Sequence, residues 1–188
     1  MDASDFDLMA RLAAGEDLAL NALMTRWSER VMAFLFRMTG QRETAADLAQ
    51  ETFVKLYQAR SRYRPQGNFS TYLFAIAANL ARNHARWQTR HPTVALDSPA
   101  TPDAAAMPAP VADEPTPGEA AMAREQSATI NAAILALPLD LREALTLFVH
   151  EDMSYAEIGH LTGCSVKAVE TRIYRARQIL KQQLKDLR

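Results

Sequence analysis

Seven of the nine prolines in this 188-residue chain fall between Pro92 and Pro117, among Ala, Asp and Thr. Proline has no backbone N–H and its ring clashes with the preceding helical turn, so such a run neither sustains a helix ladder nor builds a core. The chain is therefore expected to divide into residues 1–91 and 124–188, joined by a Pro/Ala-rich linker over 92–123. No apolar run approaches the roughly 18–20 residues that span a bilayer, so no membrane insertion is expected. The acidic start, Met1–Asp5, lacks the basic-then-apolar order of a secretion signal. The lone Cys164 excludes an internal disulfide and fits a reducing, cytoplasmic location.

The formal net charge is −1, so total charge does not announce a polyanion partner. Its distribution is more informative. From Thr52 to Leu96 there are Lys and Arg but no acid, and Ser165 onward is again basic apart from Glu170 and Asp186. The stretch between, 97–127, is acidic. Two basic blocks flanking an acidic one suggest two surfaces that face nucleic acid.

Apolar spacing predicts an all-α fold of two small helical domains. Leu20, Leu23, Met24, Trp27, Val31, Phe34, Leu35 and Met38 recur at three-four intervals, and Gly40 ends the run. A second helix, about 43–60, buries Ala45, Leu48, Ala49, Thr52, Phe53 and Leu56 and turns Asp47, Gln50, Glu51 and Val54 outward. Ser70 is the expected cap of a third helix with Leu73, Ile76, Ala77, Leu80 and Trp87 inward. Beyond the linker, helices are expected over about 124–137, ended by Pro138, and over 141–150.

Ser154 and Glu157 have the spacing of a capping box ahead of a short helix with Tyr155, Ile158 and Leu161 on its apolar side. Thr162–Ser165 supplies a turn in which Gly163 takes a left-handed conformation. The last helix then places Val166, Val169, Ile173, Ala176 and Leu180 inward. Lys167, Glu170, Thr171, Arg172, Tyr174, Arg175 and Arg177 are left facing out. One stripe to anchor the helix and one of long donors for base edges and phosphates is what a recognition helix in the major groove requires.

A second candidate surface lies in the first domain. Arg64 and Asn68 in a loop, then Phe69, Tyr72, Asn79, Arg82, Asn83 and Arg86, combine cations for phosphate, amides for base edges and aromatics for stacking. That set suits single-stranded nucleic acid. The Asp47, Gln50 and Glu51 face is acidic, would repel DNA, and suits a basic protein partner. His84, His91, His150 and His160 have no metal-binding spacing, and no Gly-rich phosphate loop or nucleophile elbow occurs. A non-enzymatic protein with no cofactor and no metal is expected.

Asp47–Phe53, Phe69–Asn79, Leu137–Arg142, Ser154–Gly159 and Arg172–Arg177 together resemble the extracytoplasmic-function (ECF) group of bacterial sigma-70 factors. The resemblance covers nearly all of the chain outside the linker. It implies a dissociable subunit of core RNA polymerase. Asp47, Gln50 and Glu51 would dock on the β′ clamp helices, and 124–188 would read the −35 element and touch the β flap. The Arg64–Asn68 loop and the helix bearing Tyr72, Asn79 and Asn83 would melt promoter DNA at the −10 element and hold a flipped base. An anti-sigma partner is also implied. Two positions depart from the usual pattern: Glu170 stands where Lys or Arg is common, and Tyr72 where Trp is usual. The competing reading is a conventional helix-turn-helix regulator that does not join polymerase.

Overall fold

The computed structural model describes residues 3–64, 67–91 and 117–185, and every regular element among them is helical. The first unit consists of α1 (Asp5–Ala13), α2 (Leu18–Thr39), α3 (Arg42–Ala59), a single 3-10 turn (Arg60–Arg62) and α4 (Phe69–Arg90). The second consists of α5 (Pro117–Leu135), α6 (Leu139–His150), α7 (Tyr155–Thr162) and α8 (Val166–Gln183).

The long apolar stripe of α2 forms the centre of the first unit. Trp27 meets Phe69 and Phe74 edge-on, at ring separations of 5.7 and 6.2 Å, and Phe34 meets Phe74 at 5.3 Å. Such pairs add about 0.5–1.5 kcal/mol each beyond the area they bury. Asp5 ties α1 to this centre by accepting from Trp27 Nε1 at 3.2 Å and from Arg26 at 2.6 Å. Helix α1 was not anticipated from periodicity, although Ser4 and Asp7 form a capping box at its start.

Four sequence expectations change. Asn68, not Ser70, is the N-cap of α4, and Phe69 is its first helical residue. Trp87 faces solvent, 50% exposed, and stacks on His91, because the buried positions of α4 end at Ala81. Val166 is likewise exposed, at the first position of α8. Helix α5 starts at Pro117, inside the stretch expected to be linker. Proline suits a first helical position, where its missing N–H leaves no bond unmade. The rest of that expected linker, 92–116, lies outside the described residues.

The two units do not stand apart. Their buried side chains form one continuous apolar cluster, with α2 packed on α5 and α6 and α4 packed on α7. A Cβ on Gly40 would come within 3.0 Å of the Leu135 side chain, so the end of α2 and the end of α5 nearly touch. Arg142 of α6 donates across the seam to the Met38 carbonyl at 2.6 Å and to Leu137 O at 3.0 Å within its own unit. Arg30 of α2 reaches Glu151 at 3.0 Å, and Arg82 of α4 pairs with Glu143 of α6.

Glu151 retains 2% side-chain exposure. Burial pushes its carboxyl up to about 7, against the pull of Arg30 and Arg37; Asp152 nearby adds to the rise. The folded chain thus holds this proton more tightly than the unfolded chain does, from an ordinary value of 4.5. The resulting contribution to stability is full below pH 4.5 and is lost as pH rises through about 7. Glu151→Gln keeps an acceptor for Arg30 and removes the buried charge. In denaturant titrations from pH 4.5 to 8, wild type should lose stability relative to E151Q by about 1 kcal/mol per pH unit within that window. Parallel curves would contradict the assignment. Taking the difference removes the opposing trend of His150, whose pKa burial and Arg37 lower.

Candidate nucleic-acid interface

The helix-turn-helix is built as its sequence suggests. Ser154 accepts from the Glu157 N–H at 3.3 Å, and Glu157 Oε2 accepts from the Ser154 N–H at 2.9 Å, so two orphan donors at the start of α7 are satisfied. Gly163 adopts the left-handed conformation at φ 70°, and Ser165 then caps α8 by accepting from the Ala168 N–H at 3.2 Å. Gly159 adds a constraint that periodicity does not disclose. A Cβ there would lie 2.8 Å from the Cys164 carbonyl, so α7 and the turn approach too closely for any other residue.

Val169, Ile173 and Ala176 seat α8 on the domain. Lys167, Glu170, Thr171, Arg175 and Arg177 are exposed, and Tyr174 is the most open large hydrophobic side chain on this helix at 62%. Arg172 behaves differently from the others. It is half-buried, bridging to Asp140 at 3.4 Å and donating to Cys164 Sγ at 3.5 Å, so it braces α8 against α6 and the turn. Arg177 lies over the Phe148 ring at 5.2 Å, a cation–π contact that ties its guanidinium to α6.

On α4 the polar stripe forms a ladder. Asn79 accepts from Arg82, and Asn83 accepts from Arg86 at 2.6 Å, each one helical turn on. Asn79, Asn83 and Arg86 are exposed and Arg82 is half-buried. Tyr72 leans on Tyr63 at 5.0 Å, and burial raises both phenol pKa values. Arg64 is exposed, and its Nη1 donates to the Tyr63 carbonyl at 3.1 Å. Asn68 is exposed too, but its amide donates to Glu157 Oε1 of α7 at 2.7 Å.

Phe69 leaves the candidate set. At 3% exposure it lies in the core, edge-on to both Trp27 and Tyr63, and has no free face to offer a base. Its position as the first residue of α4, turned under the loop, accounts for the difference.

The acidic face expected on α3 is present. Asp47, Gln50 and Glu51 are exposed, with Glu51 paired to Lys55 at 3.3 Å. Beside it Leu18, Met24 and Val54 are exposed around a hollow of ≈ 470 Å³ whose wall also includes Gln50, Phe53 and Tyr57. An apolar hollow bordered by amide and carboxylate groups is a protein-binding surface in composition rather than a DNA-binding one. Helical periodicity marks Val54 as outward; the contribution of α2 to the same patch needed the fold. Among the described residues no group of three or more His, Cys, Asp or Glu could hold a metal, and no helix is long and apolar enough to cross a membrane.

A helix-turn-helix on one unit and an amide–arginine ladder on the other thus present two separate polar surfaces. Sigma-70 region 2 matches residues 23–91, and sigma-70 region 4 matches residues 127–180. The chain is 33% identical to the RNA polymerase sigma-H factor of Pseudomonas aeruginosa over 97% of its own length and 95% of that protein's. It is 32% identical to the ECF RNA polymerase sigma factor SigW of Bacillus subtilis, over 92% of each. Among solved structures, CnrH in complex with the cytosolic domain of CnrY matches with a TM-score of 0.68 and 26% identity, covering 98% of this chain and 99% of that one. The chain belongs to the sigma-70 family, in its ECF group. Members are non-enzymatic, DNA-binding initiation factors.

Two substitutions check this geometry. Gly159→Ala should cost about 1–3 kcal/mol, the range for forcing an extra carbon into a filled space. Phe69→Ala should cost about 3–5 kcal/mol if the ring is core. Thermal unfolding of the full chain reads both, and an unchanged midpoint for either would refute its placement.

Proposed function

We propose that this chain serves in the cytoplasm as a dissociable subunit of RNA polymerase that selects and opens promoters. The exposed Asp47, Gln50 and Glu51 face, with the neighbouring hollow, docks on the β′ clamp helices of the core enzyme. Helix α8 enters the −35 major groove, where Lys167, Thr171, Tyr174, Arg175 and Arg177 contact phosphates and base edges and Glu170 accepts from a cytosine amine. Arg172 supports this helix from behind. Region 4 also contacts the β flap, and an anti-sigma protein is the restraining partner.

Strand opening follows from capture rather than from a nucleotide fuel. Asn79 and Asn83 offer amide groups to unstacked bases, Tyr72 a partly open ring, and Arg64, Arg82 and Arg86 cations for the phosphates; Asn68 lies at the mouth of the same face. Unstacking costs a few kcal/mol per step and is offset by stacking at about 1–3 kcal/mol per base together with phosphate contacts. The observation that carries the reading is the alternating asparagine–arginine ladder on α4, on a different helical unit from the duplex-reading helix.

Run-off transcription from genomic fragments with core polymerase tests the proposal. A promoter-dependent transcript should appear only when the chain is added, and its absence would end the idea. Asn79→Ala should slow open-complex formation roughly tenfold, the scale of one base contact of about 1–3 kcal/mol, while leaving duplex −35 binding unchanged. Equal loss of both would contradict the assignment of α4.

A further inference from the structure

Trp27 is 7% exposed, and its indole is held on several sides at once. Its N–H donates to Asp5 Oδ1 at 3.2 Å, the Arg30 guanidinium lies over the ring at 4.8 Å, and Phe69 and Phe74 meet it edge-on. Asp5 is the one hydrogen-bond partner of that N–H among the described residues. A buried indole N–H without an acceptor is costly, so the ring takes the pose that Asp5 sets. Asp5 is steadied in turn by Arg26, which donates to it at 2.6 Å and to the Ala3 carbonyl at 3.0 Å. Helix α1 thus fixes an aromatic ring of α2 by a directional bond and not by packing alone.

From Trp27 the contacts run on to the face assigned to the separated strand. Phe69 meets Tyr63 edge-on at 6.5 Å, and Tyr63 leans on Tyr72 at 5.0 Å. Helix α1 also packs on the 3-10 turn that precedes Tyr63. The Asp5 charge is felt at the Tyr63 phenol, whose pKa is raised first by burial and then by Tyr72 and Asp5. Tyr72 is half-buried, so only part of its ring is open to a base, and the angle at which that part is presented matters. A binding group is only as well placed as the packing behind it.

We propose that Asp5 is a positioning residue for strand capture: by holding the Trp27 indole it sets Phe69, then Tyr63, and finally the Tyr72 ring on which an unstacked base is stacked. This role rests on the functional reading above and extends it to α1. Phe69 has no free face for a base, yet it is the link through which the pose of Trp27 reaches Tyr63. Neither Asp5 nor Trp27 belongs to the Asp47–Glu51 face or to α8, so core binding and duplex reading do not depend on their bond.

The test uses holoenzyme formed from core polymerase and the full chain, on a promoter recovered by the run-off assay, and reads the lifetime of open complexes after heparin challenge. That lifetime is independent of how much of the factor is folded, so a loss of stability alone does not move it. Asp5→Ala should shorten it roughly three- to tenfold, the scale of one hydrogen bond to a charged group. Asp5→Asn keeps an acceptor for the indole and should recover most of the loss. Trp27→Phe removes the N–H and should shorten the lifetime by itself; adding Asp5→Ala to it should then have no further effect. Arg26→Gln removes the other partner of Asp5 and should leave the lifetime unchanged. Affinity for duplex −35 DNA should be the same throughout. An unchanged lifetime in either D5A or W27F, no recovery in D5N, or an Asp5 effect as large without the indole as with it would overturn the positioning role while transcription persists. Absence of any promoter-dependent transcript with the wild-type chain would instead remove the functional reading, and the positioning role with it.

Discussion

Taking a carboxylate out of water is tolerable only where a cation and hydrogen bonds replace the water. The arrangement of this protein turns on two such carboxylates placed between its helical units. Glu143 and Glu151 sit at the middle and the end of α6, and each meets an arginine from a different helix of region 2. The pairing is not free stabilisation. Burial raises the pKa of both acids in spite of the adjacent guanidinium groups, so desolvation outweighs attraction for the ionised forms. What the pairs provide is orientation. A purely apolar seam could slide, whereas arginines at positions 30 and 82 can meet acids at 151 and 143 in only one register.

Around that seam the two units solve different problems. Region 2 is organised by aromatic rings: Trp27, Phe34, Phe69 and Phe74 interlock edge-to-face and fix α2 against α4. A rigid α4 is what lets a row of amides and guanidiniums hold a defined spacing. Region 4 is smaller and relies on local devices, two serine caps and a glycine at a point where backbone meets backbone. Arg172 shows how tightly such a small unit uses its residues. Its sequence position marked it as outward on α8, and yet its contacts with Asp140 and Cys164 are both internal.

Much of this was legible in the sequence. The stripe from Leu20 to Met38, its stop at Gly40, the capping box at Ser154 and the turn at Gly163 all express local rules that hold whatever surrounds them. The division of α3 into a buried side and an Asp47–Glu51 side follows from its period alone. Where the sequence misled, the deciding factor was tertiary. Phe69 and Trp87 are equally aromatic and equally placed on α4, yet one end of the helix is covered and the other runs past the bundle. Glu143 and Glu151 carried no signal in the sequence, because nothing in helical spacing announces that an arginine from residue 82 or 30 will arrive there, and Glu157 was marked only as a capping residue. The α1 helix was missed for another reason: nine residues with three buried positions give periodicity too little length to register.

Glu157 uses its two oxygens for separate tasks, one closing the first turn of α7 and the other gripping Asn68 and Thr71 across the seam. Sharing one side chain makes these tasks thermodynamically reciprocal: whatever steadies the carboxylate for one partner lowers the entropic cost of meeting the other. The integrity of the helix-turn-helix and the grip on region 2 are thus not independent traits of this chain. A change that loosens the start of α7 also loosens the hold on α4, and selection acting at residue 157 adjusts both at once.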